Sequence, residues 1–361
     1  MTIEWLAGNR IRGTSTERTT TSGFNQISAV QAGWKQVGKF TLGSSASQID
    51  IENIPDKQYY MVLTHIKDSG QEGVRYRFGS SGSIDPNSNY AFRRWDNGSS
   101  STSHTTSSLY MTGDQADDDK FHVMYISNLS GKAKLTQHLY AERGDNLSAG
   151  NKPRASKGVG KWTETDPLDT IRVYGNQTGS YDSGSEVVVL GWDPDDTHTD
   201  NFWQELANVN LSGGANSNLS SGTISAKKYL WVQYYAQTSA SADIKFTFNN
   251  DTNNNYSDMR QINDSSYSGK IDQDNWEDEG GLSANRGIFV NMFIINNANS
   301  VKLGIVNSVR DMGSSGTEPQ TRHWVGKWTE TTDQITEIDL TASTGNLQSV
   351  SELRVWGADP V

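Results

Sequence analysis

Apolar and polar positions alternate with a period of two through most of the chain. In Phe121 to Asn128 (FHVMYISN), Phe121, Val123 and Tyr125 fall on one side of an extended backbone and His122 and Met124 on the other, the pattern of a strand in a half-buried sheet. Val187-Val188-Val189-Leu190 is apolar at every position and predicts a central strand covered on both faces. Gly, Ser, Thr, Asn and Asp crowd the connections, as tight turns between short strands require. The pattern predicts about eight to ten strands in each half of the chain. The best short helical candidate is Ala116 to Lys120.

One stretch occurs twice. Val159 to Pro194 and Val325 to Pro360 are identical at 17 of 36 positions without a gap. Each copy opens on Val-Gly-Lys-Trp-Thr-Glu-Thr and closes on Gly-x-Asp-Pro. Upstream anchors keep the same order: Trp34 to Val37 with Trp203 to Leu206, Ile54 to Val62 with Ile224 to Val232, Asn89-Tyr90 with Asn255-Tyr256, and Phe121 to Asn128 with Phe289 to Asn296. Solenoid repeats are far shorter than this period, so the chain reads as a duplicated domain. The fold expected is all-β: two tandem antiparallel β-sandwiches of jelly-roll-like topology, over residues 28–194 and 201–361. Residues 195–200 form an acidic linker between them, and residues 1–27 an N-terminal arm without a counterpart in the second copy. Within that arm Trp5, Arg10, Arg12 and Arg18 suit docking to an acidic neighbour, against the plainer reading of a frayed terminus or extra edge strand.

Composition narrows the function. With 361 residues the chain is long enough for two cores. Its 11 Trp, 14 Tyr and 10 Phe place apolar burial in aromatic and β-branched residues, which is strand chemistry. A formal charge of -11 opposes nucleic acid as a partner, since phosphate neutralisation needs a basic stripe. The sequence contains no apolar run long enough for a membrane span and no apolar signal core near Met1, so membrane insertion is not expected. The absence of Cys excludes disulfides and thiolate sites.

The anchors resemble a β-sandwich module of virion structural proteins of tailed bacteriophages, found in tail, fibre and head-surface components and common in marine phages. The resemblance is carried by Ile54-Pro55, Tyr59, Arg77-Phe78-Gly79, Asn89-Tyr90, Gly160-Lys161-Trp162, Gly179-Ser180-Tyr181, Gly184-Ser185 and Leu190-Gly191 in the first copy. In the second it rests on Phe248-Asn249, Asn255-Tyr256, Gly326-Lys327-Trp328, Ile335-Thr336, Gly345-Asn346-Leu347 and Trp356-Gly357. The second copy departs from it at Ser225 and Val350. The resemblance implies a virion setting and no chemistry.

No residue pattern singles out a reaction. His65, His104, His122, His138, His198 and His323 are scattered without metal-ligand spacing, and no Gly-x-Ser-x-Gly elbow occurs. A glycosidase pair of carboxylates is not marked by anything in the sequence. Three acidic clusters, Asp114 to Asp119, Asp193 to Asp200 and Asp272 to Glu279, offer the oxygens of a Ca²⁺ site without the order of an EF-hand; solvated loops are the plainer reading. Trp34, Trp162, Trp203 and Trp328 recur in both copies and read as core. Trp95 and Trp276 lie in polar Gly/Asp-rich stretches and are candidates for stacking on a glycan, against packing on their own loops.

The function expected is that of a non-enzymatic virion structural protein, displayed on the particle surface as a capsid decoration or a tail or fibre component. Its expected partners are other virion proteins and further copies of itself, with symmetric sites favouring a homo-oligomer. The alternative is a carbohydrate-binding adhesin or lectin-like module that meets a host surface glycan. A third reading, a jelly-roll major capsid protein, is weakened by two copies that look like side-by-side duplicates.

Overall fold

The computed structural model describes residues 33–361 together with 4–5 and 11–12, apart from 69, 71–72, 98, 112–118, 145, 176–178, 264 and 314–315. The fold is all-β with antiparallel sheets. Glu4–Trp5 (β1) pairs with Ile11–Arg12 (β2) in a two-stranded ladder. Then follow Lys35–Thr41 (β3), Gln48–Ile51 (β4), Tyr59–Ile66 (β5), Arg75–Ser80 (β6), Ser83–Ile84 (β7), Tyr90–Asp96 (β8), Ser99–Thr106 (β9), Leu109–Tyr110 (β10), Lys120–Ser127 (β11), Lys134–Glu142 (β12), Arg154–Trp162 (β13), Thr170–Tyr174 (β14) and Glu186–Trp192 (β15). The second unit has Gln204–Asn210 (β16), Asn218–Ser220 (β17), Tyr229–Gln237 (β18), Ala242–Phe248 (β19), Tyr256–Ile262 (β20), Trp276–Leu282 (β21), Gly287–Ile295 (β22), Lys302–Arg310 (β23), Gln320–Trp328 (β24), Ile338–Ala342 (β25) and Glu352–Ala358 (β26).

The duplication extends to topology. The large sheet of the first sandwich runs β3-β15-β5-β11-β12-β13-β8-β9 and its small sheet β10-β6-β14-β4, with β7 on β6. The second runs β16-β26-β18-β22-β23-β24-β20 over β17-β25-β19-β21, the same order strand for strand. Even the irregularities repeat, since β3 slips against β15 at Val37 and β16 against β26 at Leu206. Apart from β7, which extends the hairpin of β6, strands β3 to β8 alternate between sheets as in a jelly roll, whereas β11, β12 and β13 stay together as a meander. Strand β9 is the first unit's addition; its Ser/Thr-rich sequence blunts an open sheet edge.

Each sandwich has its own core, Tyr60, Val62, Met124, Trp162 and Val189 among others in the first, and Val232, Met292, Trp324, Trp328 and Val355 in the second. A third core lies between them. Met61, Leu63, Phe121, Val123, Ala141 and Val188 on the outer face of the first large sheet pack with Phe293, Ile295, Leu303, Ile305 and Val325 on that of the second. Two sandwiches are thus stacked through their large sheets into four layers, each such side chain contributing roughly 1.5–3 kcal/mol by leaving water. This corrects the half-buried reading of β11, because Phe121 and Val123 enter the shared core while His122 and Met124 enter the first sandwich's own. The all-apolar β15 is central as expected, with Val187 and Val189 facing one core and Val188 and Leu190 the other.

Of the short helix expected at Ala116 to Lys120, residues 116–118 lie outside the described residues, and Lys120 begins β11. Trp162, Trp203 and Trp328 are core as expected, and Trp34 is half-buried at the border of the shared core.

Candidate functional site

The motifs that recur in both copies are hydrogen-bond networks that hold the fold. Asp85 accepts from the Trp162 indole at 2.8 Å and from Asn89 Nδ2 at 2.9 Å, while the Tyr90 hydroxyl accepts from the Phe78 amide at 2.9 Å. In the second sandwich Asp251 accepts from Trp328 at 2.8 Å and from Asn255 at 2.9 Å, and Tyr256 from the Phe248 amide at 3.0 Å. Asn128 and Asn296 likewise tie backbone groups together, accepting from Leu168 and Ile335 at 2.9 and 2.7 Å. None of these groups is left over for a ligand.

Several carboxylates of the second and third acidic clusters pair with cations of the protein itself. Lys57 lies between Asp193, at 3.1 Å, and Asp196, and Lys35 meets Asp200 at 2.9 Å, which pins the segment expected to be a linker. In the third cluster Glu277 pairs with Lys270 at 3.0 Å, and the buried Asp278 takes both Arg310 and Arg322 at 2.8 Å. Of the first cluster, residues 114–118 lie outside the described residues. No group of three His, Asp or Glu side chains able to hold a metal occurs among the described residues.

Trp276 is not an exposed platform. It is fully buried at the start of β21, its indole N–H donates to the Lys327 carbonyl at 3.1 Å, and its ring meets Phe248 edge-on at 4.8 Å. The bare backbone of Gly304 and Gly326 makes room for it, since a Cβ at either would overlap the indole. The matching place in the first sandwich holds the smaller Leu109 above Gly160. The polar residues around Trp276 in the sequence hid this, because they belong to an edge strand and its turn. Of the four arm residues, Trp5 pairs with Ile11 and Arg12 with Glu4 in the β1–β2 ladder, and Arg10 and Arg18 lie outside the described residues.

Trp95 is placed differently. It is half-buried on β8 and lines a cleft of about 370 Å³ between the two large sheets. Across three adjacent strands of the first sandwich Trp95, Lys157 and Leu139 stand in register, and opposite them stand the equivalent Gln261, His323 and Asn307 of the second. Gln261 donates through Nε2 to the Ser265 carbonyl at 2.9 Å, and its buried Oε1 has no partner among the described residues. Asn307 Oδ1 lies 3.2 Å from His323 Nδ1. Asn263, in the left-handed conformation that ends β20, accepts from the Thr321 amide at 2.9 Å, as Asn97 does from Ala155 at 3.0 Å after β8. His138 also borders the cleft; burial first, then the Arg94 charge, pushes its pKa down to about 3, so its ring is neutral.

The described lining of this cleft contains no carboxylate, although the chain has 42 Asp and Glu residues. General acid–base chemistry on a glycosidic bond needs two. An aromatic face bordered by amide groups suits instead the binding of a polyhydroxylated ring. Sequence reasoning found Trp95 and missed Gln261, His323 and Asn307, which only the stacking of the sandwiches brings to it.

No protein-family model matches the chain, and no curated protein matches it. Among solved structures it has low likeness to the NanC porin, with 13% identity over 75% of this chain and 99% of that one at a TM-score of 0.12. An acyl-CoA hydrolase from Agrobacterium tumefaciens has 7% identity over 60% and 74% at 0.11. Acinetobacter baumannii OccAB4 has 7% over 84% and 99% at 0.12. Likeness at this level carries no argument about fold or function.

Proposed function

We propose that the protein is a non-enzymatic structural component of a virion, displayed on the particle surface as a capsid decoration or a tail or fibre part. The observation that carries this reading is the shared core between the large sheets, which joins two sandwiches into one four-layer block. A block of this kind supplies shape and contact area, and its recurring residues serve the fold. The virion setting is drawn from the resemblance of the repeated motifs, and the partners are other virion proteins. Cryo-EM of purified particles from the source tests it: four stacked β-layers at repeated sites on head or tail are expected, and their absence from both overturns the reading.

A second reading is favoured by one observation, the Trp95 cleft. Here the displayed block also holds a host-surface glycan, with a pyranose ring on Trp95 and hydroxyls on Gln261 and Asn307. Binding to immobilised neutral and acidic oligosaccharides should be lost in Trp95→Ala without a change in melting temperature. Binding that survives the substitution, or no binding by the native chain, removes this reading.

A further inference from the structure

The two sandwiches use opposite halves of equivalent faces. On the first large sheet the outer face is covered at the end carrying Phe121 and Ala141, which are 1% and 0% exposed, and open at the end carrying Leu135 and Val159, at 57% and 46%. On the second the pattern is reversed. Leu303 and Val325, the counterparts of Leu135 and Val159, are both 0% exposed, whereas Phe289 and Val309, the counterparts of Phe121 and Ala141, are 44% and 39% exposed. The contact is therefore heterologous: it joins the Ala141 end of one domain to the Leu303 end of the other, and leaves one half of each kind uncovered. A heterologous contact that does not close on itself propagates.

We propose that the Leu135 end of the first sandwich docks the Phe289–Val309 end of the second sandwich of another copy, so that chains join head to tail through the interface that each already contains. Two observations carry this. The open half is the structural equivalent of one that the same chain does bury, so its strand geometry already suits such a partner, with Ser127 and Gln137 standing where the buried half has Ile295 and Ile305. It is continuous with an apolar groove of about 410 Å³ in which Tyr59 stacks on Trp192 at 5.5 Å beside Trp34 and Tyr125, an aromatic composition typical of protein contacts.

The inference deepens the structural reading but is separable from its virion setting, because assembly of the purified chain is read in solution. Sedimentation velocity over a wide concentration range is the test, with Leu135→Asp and Phe289→Asp, both at exposed positions and checked for an unchanged melting temperature. The native chain should form a concentration-dependent series of oligomers, and each variant alone should stay monomeric. An equimolar mixture of the two variants should give a 1:1 dimer and nothing longer, since one intact end of each kind remains. A native chain that is monomeric at every concentration overturns the proposal, whether the Leu135 end is then bare or covered by residues 1–32 of its own chain. Assembly lost in Leu135→Asp but kept in Phe289→Asp overturns it too, by revealing a symmetric contact.

Discussion

The Tyr229 hydroxyl donates to Glu186 Oε1 at 2.9 Å across the seam between the two sandwiches. Glu186, buried at the start of β15, also accepts from Thr41 Oγ1 at 2.6 Å and pairs with Lys228 at 2.8 Å. Burial first, then the Glu186 charge, holds the Tyr229 phenol well above its ordinary pKa, so it stays a donor. Three groups from two domains thus converge on one carboxylate.

Tyr229→Phe removes a hydrogen bond to a charged acceptor and should cost about 1.5–3 kcal/mol. Glu186→Ala should cost more, though less than the ~3–5 kcal/mol of a fully buried pair, because Lys228 keeps some contact with water. Chemical denaturation of the purified chain measures both. Equal stability of Tyr229→Phe and the native chain would mean that the seam is held by its apolar side chains alone.

The indole–carboxylate pairs Trp162–Asp85 and Trp328–Asp251 share one geometry at 2.8 Å in two domains. Trp162→Phe and Trp328→Phe should therefore lower stability by similar amounts, about 1.5–3 kcal/mol each for the lost bond to a charged acceptor. Their effects should add, since each acts within its own sandwich. Unequal costs would indicate that the two domains unfold separately and that one alone limits the transition.

Strand alternation and the 36-residue repeat made the all-β class and the duplication legible. The shared core was not, because a strand buried on both faces by two different partners reads locally like one with a polar side: His122 is polar and still buried. The Asp85 and Asp251 networks had a readable signal, an Asp five residues before each Asn-Tyr tyrosine. Trp276 was misleading for the opposite reason, since its burial depends on Gly304 and Gly326, distant in sequence. The cleft at Trp95 depends on how the two large sheets stack, which no local pattern encodes.

Gly326 and Trp276 should behave as a coupled pair. A Cβ at Gly326 would overlap a ring that is walled in by Phe248, Tyr256 and Trp324, so Gly326→Ala should cost about 1–3 kcal/mol through overpacking. At Gly160 the added Cβ would meet Thr136 Oγ1 at 2.6 Å and the tip of Leu109 at 2.8 Å, side-chain ends that give way more readily than an indole. Gly160→Ala should cost less. In a double-mutant cycle Trp276→Leu should recover part of the Gly326→Ala loss, with a coupling of roughly 0.5–3 kcal/mol. Simple additivity of the two would show that the indole is not what the glycine accommodates.

Acid should weaken the fold well above the range where ordinary carboxylates titrate. His65, His122 and His138 are each buried, and burial, with added repulsion from Lys228, His138 and Arg94 respectively, lowers all three pKa values, that of His138 to about 3. A base with a depressed folded-state pKa binds its proton more readily when unfolded. Its contribution is complete above the unfolded value of about 6.5 and is lost as pH falls below it, by up to ~1.4 kcal/mol per pH unit for each ring. Asp85 and Asp251 act in the same direction at lower pH: burial raises them, but hydrogen bonds from the Trp162 and Trp328 indoles and from neighbouring amides hold both below the usual carboxylate range. Denaturation midpoints measured from pH 7.5 to 4.5 should therefore fall steadily once pH passes 6.5. In His138→Gln the slope should be shallower by about 1.4 kcal/mol per unit, whatever the substitution costs at pH 7.5. An unchanged slope would mean that the ring takes up its proton inside the folded protein.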